Sequence, residues 1–176
     1  MIQSSAKVQN LLTKGSINHL KHQLKKKPDQ HFKAIEENIL AAKKEGINTN
    51  VYLEDWSNGM RNSPDYVKDY LSFISKLPVK RVLLPDTLGV LTYFETFSLI
   101  SKVIKNHPQI HFDFHGHNDY DLSVANTMEA VRAGCQGLHL TVNGMGERAG
   151  NTPMASTVAA LKDFLPGIEI NINESS

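Results

Sequence analysis

Ile110-His111-Phe112-Asp113-Phe114-His115-Gly116-His117-Asn118-Asp119 is the stretch that decides the fold. Its first half reads as a strand, and its end carries the chemistry. Residues two apart in a strand point the same way, so His115 and His117 present two imidazoles on one face. Two neutral imidazoles with carboxylate and amide oxygens nearby suit a divalent metal of the Zn, Mn or Fe kind. The alternative is a pair of histidines satisfied by hydrogen bonds at a strand end. Twenty-six residues after His117 begins Asn143-Gly144-Met145-Gly146-Glu147-Arg148-Ala149-Gly150-Asn151, a glycine-rich polar loop after another apolar run.

Four further apolar runs flank this one: Val8 to Thr13, Asn50 to Leu53, Arg81 to Leu84 and Gly137 to Val142. Helical patterns lie between them. Phe32, Ile35, Ile39 and Ala42 fall on one helical face. Val67, Leu71 and Ile74 make a second, Phe97, Ile100 and Ile104 a third, and Met154, Val158 and Leu161 a fourth. Leu122 to Arg132 is also helical, with a less clean stripe. Strand alternating with helix is the mark of a parallel sheet built from βα units.

Polar residues gather just after each run: Thr13, Lys14 and Ser16; Glu54, Asp55 and Trp56; Asp86 and Thr87; the two histidines; Asn143. In a β/α barrel the active site sits on the loops at the carboxyl ends of the strands. An open doubly wound sheet binds at the same edge. No Gly-x-Gly-x-x-Gly turn follows a strand, so a dinucleotide fold is unsupported. A closed barrel needs eight strands, and the sequence offers five. The expected architecture is therefore a partial TIM (β/α)8 barrel of about five βα units, over residues 1–164, with a tail over 165–176.

At 176 residues the chain is one domain with a sizeable core, and its formal charge of +1 favours neither nucleic acid nor an acidic membrane surface. The basic stretch Lys21 to Lys27 reads as a solvated face. A single cysteine, Cys135, excludes an internal disulfide and fits a reducing cytoplasm. No apolar run reaches the roughly 20 residues of a membrane span, and the first residues lack a signal-peptide core.

The candidate site follows from these placements. Asn151 precedes Thr152-Pro153 and is read either as a helix cap or as a side-chain oxygen completing a metal shell. Glu147 and Arg148 sit between glycines on a loop suited to supporting a site. Glu54 ends a strand, where its carboxylate can point into the barrel mouth for proton transfer, while Asp55 faces away. Thr87 offers a hydroxyl to a substrate carboxylate or caps a turn. Leu12 and Tyr52 are pocket walls or ordinary core. His19, His22, His31, His107, His111 and His139 show no partner pattern.

His115-Gly116-His117-Asn118-Asp119, Ser123-Val124-Ala125-Asn126 and Asn143 to Asn151 together resemble the signature of the metal-dependent Claisen-type acyltransferases and lyases. That barrel family includes the 2-isopropylmalate, homocitrate and citramalate synthases and 3-hydroxy-3-methylglutaryl-CoA lyase. The Gly-Glu-Arg-Ala-Gly-Asn form points to the synthases. Asn10 to Ser16, Val51 to Gly59 and Leu84 to Val90 are most similar to bacterial citramalate synthases.

The resemblance covers about Ala6 to Phe164 and implies strands four to eight of the barrel. It implies condensation of acetyl-CoA with a 2-oxo acid, then thioester hydrolysis, assisted by a divalent metal (Mn, Mg or Zn). It implies His115 and His117 as metal ligands with Asn151 near the metal, and Glu54 as the assisting carboxylate. Thr87 would hold the 2-oxo acid carboxylate, and Leu12 and Tyr52 would wall its small side chain, leaning toward pyruvate over 2-oxoisovalerate. It also implies a cytoplasmic protein of amino-acid biosynthesis, without nucleic-acid or membrane partners, in a family that tends to dimerise. The family's Arg-Asp-Gly-x-Gln opening motif has no counterpart here, nor has its C-terminal region. The chain alone is expected to be inactive, or active only with a complementary piece. A CoA-ester lyase on the same scaffold and a non-catalytic remnant are the competing readings.

Overall fold

The structure is a computed structural model that describes residues 6–165 and 167. Five strands, β1 (Val8–Lys14), β2 (Asn48–Glu54), β3 (Val79–Asp86), β4 (Phe112–Gly116) and β5 (Gly137–His139), alternate with helices. The helices are α1 (Ile17–His19), α2 (Pro28–Lys44), α3 (Trp56–Asn62), α4 (Pro64–Ile74), α5 (Tyr93–Asn106), α6 (Ser123–Arg132) and α7 (Met154–Phe164). A π-helical turn, Leu20–Leu24, follows α1. All strands pair in parallel, in the order β1-β2-β3-β4-β5. These are five consecutive βα units of a β/α barrel, with the sheet open. The tail expected over 165–176 lies outside the described residues apart from 165 and 167.

Period-two patterning sorts the strands into two faces. On the helix side, Val51, Leu53, Val82, Leu84, Phe112 and Phe114 are buried and pack on Ile35, Ile39, Val67, Leu71, Ile74 and Ile100. On the other side, the lumen of a barrel, Lys14 registers with Glu54, Leu12 with Tyr52, and His115 with both Pro85 and His139. Removing the apolar face from water is the main stabilising term, and the lumen face mixes polar residues with Leu12 and the buried Leu83.

The helices begin where local chemistry sets them. Pro28 and Pro64 stand at the first position of α2 and α4, where the missing N–H costs nothing. Thr92 and Glu95 form a reciprocal capping box at the start of α5.

Four expectations need correction. The strand expected over Gly137 to Val142 ends at His139, and Val142–Gly144 form a 3-10 turn with Asn143 at φ 54°. The buried stripe of α5 is Thr96, Ile100 and Val103; Phe97 is exposed and meets the Arg132 guanidinium across its ring. In α7 the buried residues are Thr157 and Leu161, and Met154 is exposed. Leu12 and Tyr52 are not core: Leu12 is 63% exposed and Tyr52 half-buried, both on the lumen face.

Candidate active site at the carboxyl ends of the strands

His115 and His117 do share one face. Their Nε2 atoms lie 3.2 Å apart, with the rings nearly perpendicular. Burial, then the neighbouring His117 and His139 imidazoles, push His115 down to about 4. Burial and the Arg148 charge also lower His117, against Asp119, Glu147 and Asp86. Both imidazoles are thereby kept neutral near pH 7, the form that ligates a metal.

The loop that carries Glu147 and Arg148 returns to the end of β4. A backbone bridge joins His117 to Asn151, flanked by hydrogen bonds from Asn118 N to Gly150 O (3.0 Å) and Thr152 N to Gly116 O (3.1 Å). Asn151 is not a helix cap, because α7 begins at Met154 with Pro153 as its capping position. Its Nδ2 donates to Met145 O at 3.3 Å, and its Oδ1 is buried without a partner. Gly150 takes φ 95°, and a side chain there would overlap the Gly144 carbonyl that Asn151 N bonds. A buried acceptor without a donor is costly.

Arg148 clasps three loops. Its guanidinium donates to both Asp119 oxygens, at 2.7 and 2.9 Å, and to Thr87 O at 2.7 Å. Arg148 itself takes φ 56°, a conformation L residues hold only when their surroundings require it. The Arg148 hydrogen bond, ahead of its charge, keeps Asp119 below the usual carboxylate range. Glu147 lies outside this clasp, exposed, with Oε2 3.6 Å from Arg148 Nη1.

Glu54 points to the lumen face as expected, ion-paired with Lys14, and His19 Nδ1 stands 3.8 Å from its other oxygen. Asp55 faces away and is buried; it accepts from the Ser16 hydroxyl (2.6 Å) and Asn58 Nδ2 (2.8 Å). Thr87 Oγ1 accepts from Asp55 N at 2.8 Å, tying the ends of β2 and β3; its hydroxyl proton has no part in that bond. Asp86, fully buried, accepts from Val90 N and Leu91 N and shapes the turn that carries Thr87.

Lys14, His19, Arg81, His111, Asp113, Asp119 and His139 belong to the same face or its rim, yet sequence reasoning left them out. His111 and His139 have a partner after all, the Asp113 carboxylate. Asp113 sits two residues before His115 on the same strand, so period two alone could have placed it.

Do these residues fit a metal? Two imidazole nitrogens about 2.1 Å from one ion stand roughly 3.0–3.4 Å apart for angles from square to tetrahedral, and the observed pair lies within that span. Asn151 Oδ1 is an orphaned oxygen on the segment bridged to His117. Among the described residues no cluster of three or more His, Cys, Asp or Glu side chains is arranged for a metal. The fit therefore rests on two imidazoles and one amide oxygen.

Among the described residues no helix is long and apolar enough to cross a membrane. Sequence comparison finds 36% identity over 154 residues to a 2-isopropylmalate synthase of Sulfurisphaera tokodaii, covering 88% of this chain and 39% of that one. A homocitrate synthase of Saccharolobus solfataricus is 36% identical over 152 residues, covering 86% of this chain and 32% of that one. The chain thus spans about two-fifths or less of these relatives' length. Among solved structures, a hydroxymethylglutaryl-CoA lyase from Pseudomonas aeruginosa superposes with TM-score 0.80 at 19% identity, over 91% of this chain and 56% of that one. That likeness shows the barrel fold. The model of the HMGL-like family matches residues 3–175, and this chain is a member of that family.

Proposed function

We propose that this chain carries the 2-oxo-acid and metal-binding part of an acetyl-CoA-dependent condensing site. The reaction class is acyl transfer: an acetyl-CoA methyl loses a proton, its carbon bonds the ketone carbon of a 2-oxo acid, and water releases CoA from the thioester. The products would be citramalate from pyruvate or 2-isopropylmalate from 2-oxoisovalerate, steps of branched-chain amino-acid biosynthesis in the cytoplasm. One observation carries the reading. Two neutral imidazole nitrogens converge at 3.2 Å on a strand end whose backbone is bridged to Asn151, the residue with an orphaned amide oxygen, and neighbouring strand ends bear Glu54 and Thr87.

His115, His117 and Asn151 would hold a divalent metal, Mn, Mg or Zn, with neutral donors only. Bound there, it would supply Lewis acidity to the keto and carboxylate oxygens of a 2-oxo acid. Thr87 keeps its hydroxyl proton for a substrate carboxylate while its oxygen accepts from Asp55 N. Glu54, steadied by Lys14, presents a carboxylate to take or return a proton. Leu12 and Tyr52, side by side on the lumen face, bound the space for the acid's side chain. Arg148, through Asp119 and Thr87 O, holds the loops of Thr87, His117 and Asn151 in register.

The test has two arms. Calorimetric titration with Mn should show one binding event in the natural chain that is lost in His115→Ala and in His117→Ala. A free-thiol assay for CoA release would use acetyl-CoA with pyruvate or 2-oxoisovalerate. It would compare this chain alone with the chain mixed with a separately made segment spanning the first three βα units of a relative. CoA release that needs the 2-oxo acid supports condensation. Cleavage of a hydroxyacyl-CoA ester in its place would assign the lyase reaction, and absence of Mn binding would remove the reading.

A further inference from the structure

Asp113 lies on the lumen face of β4 and is 2% exposed. Three groups from three strands or their flanks converge on it: Arg81 Nη1 at 3.3 Å, His111 Nε2 at 2.9 Å and His139 Nε2 at 3.3 Å. The sheet is shaped for this contact. Gly137, the register partner of Asp113 on β5, has no Cβ, and one built there would overlap the carboxylate. The other nitrogen of His139, Nδ1, faces the Tyr52 hydroxyl at 3.3 Å, and the two rings meet edge-on with centroids 5.6 Å apart. A line of contacts thus runs from β4 through β5 to β2, across the mouth of the site.

The chemistry of the line has a direction. An ionised carboxylate only accepts hydrogen bonds. His139 Nε2 facing Asp113 must therefore carry a proton, and the tautomer with its proton there leaves Nδ1 bare. A bare Nδ1 can only accept, so the Tyr52 hydroxyl donates to it. Tyr52 needs such a tether: it stands half-buried on an open face beside Leu12, itself 63% exposed, and neither belongs to the apolar core.

We infer that Asp113 and His139 are positioning residues for Tyr52, fixing its ring as an immobile wall that sets which 2-oxo acid side chains the site accepts. The inference rests on the condensing function proposed above and deepens it. A pocket that distinguishes side chains by one or two methylenes gains roughly 10–200-fold at best, and only if its wall cannot swing aside. Untethered, the Tyr52 ring opens room for a branched side chain.

Three variants test this: His139→Leu, Tyr52→Phe, which removes only the tethering hydroxyl, and the double variant. Nitrogen-15 spectra of the histidine rings give the His139 tautomer without substrate. Ligand-observed NMR with Mg gives the ratio of pyruvate to 2-oxoisovalerate affinity. The expected result is the Nε2-protonated tautomer of His139, and a selectivity ratio that falls about tenfold in each single variant. The double variant should fall no further, because both changes cut one tether. A His139 protonated on Nδ1, selectivity unchanged in either single variant, or additive losses in the double would overturn the inference. If the natural chain binds neither acid, the condensing function falls. The tautomer, with loss of Tyr52 ring order in His139→Leu, then decides the tether alone.

Discussion

Acidification from pH 7 to 4.5 should weaken the fold through His31. This residue sits in the first turn of α2, 5% exposed, and its Nε2 accepts the Lys14 backbone N–H at 3.2 Å. Burial first, then the Lys26 and Lys14 charges, push its pKa from 6.5 to about 4. Between those values the unfolded chain binds the proton that the folded chain refuses, so stability rises with pH across the window. The contribution is fully present above pH 6.5 and is lost as pH falls toward 4. At about 1.4 kcal/mol per pH unit the whole window is worth about 3 kcal/mol, of which about 2 kcal/mol is lost between pH 7 and 4.5. That is a large part of the roughly 5–15 kcal/mol that holds a domain together. His115, lowered to about 4, titrates in the same direction, so a difference is needed. Urea unfolding at pH 7, 6, 5 and 4.5 would compare the natural chain with His31→Gln, which keeps an acceptor for Lys14 N–H but does not titrate. The variant should show a slope shallower by about 2 kcal/mol over the range. Equal slopes would refute the reasoning.

Arg148→Lys replaces a two-pronged donor with a point charge. Charge-assisted bonds are worth about 1.5–3 kcal/mol when buried, and the 38% exposure of Arg148 trims this to about 1 kcal/mol. A thermal melt should show a fall of a few degrees, and Mn titration a weaker site; an unchanged melt and affinity would deny the clasp. Gly137→Ala places a methyl on the Asp113 carboxylate and should cost about 1–3 kcal/mol in urea unfolding. A neutral result would mean that β5 does not pack as described. Cys135 is buried, and burial, with the Asp113 charge, pushes its thiol up to about 12. Iodoacetamide at pH 8 should leave it unmodified in the folded protein and alkylate it in urea; fast labelling without urea would place it at the surface.

What was legible in the sequence were features carried by one segment at a time. The alternation in Val51 to Leu53 and the spacing of Val67, Leu71 and Ile74 gave the sheet and its helices, because burial imposes period two and 3.6 on each segment separately. The two imidazoles on one face followed from His-x-His alone. Features needing two segments were hidden. Lys14 and Glu54 are neighbours only through the β1–β2 register. His139 gains meaning only where β5 docks on β4 and Asp113 meets its Nε2. Asn151 looked like a cap because Thr152-Pro153 follows it. The structure turns that segment into a bridge to His117, and the helix starts two residues beyond Thr152. β5 stops early because its ladder with β4 ends at the His115–His139 pair and Thr141 bridges to Pro153 instead, a change of partner that its apolar sequence does not announce.

The two faces of the sheet divide the labour between stability and chemistry. The barrel interiors of this architecture are commonly filled by layers of bulky branched side chains. Here, beside Leu12, Leu83 and Pro85, the lumen face carries polar residues that satisfy one another between strands. Asn50 Nδ2 donates to Asn10 Oδ1 at 3.0 Å, Lys14 pairs with Glu54, Arg81 with Asp113, and Tyr52 with His139. Each pair closes within the five strands described, so the network holds its geometry from within this sheet. The apolar core lies wholly on the other side, between strands and helices. A substitution in the helix-side core therefore acts on folding. A substitution at a partly exposed lumen pair such as Lys14–Glu54 acts on the orientation of Glu54, Tyr52 and the imidazole pair at modest cost to stability, because such pairs contribute little to it, whereas the buried Asp113–Gly137 contact serves both. Leu83, buried between Tyr52 and Asp113 in register, and Leu12, exposed beside Tyr52, are apolar members of that face, and on the reading proposed above they flank the space where a small side chain would be sized.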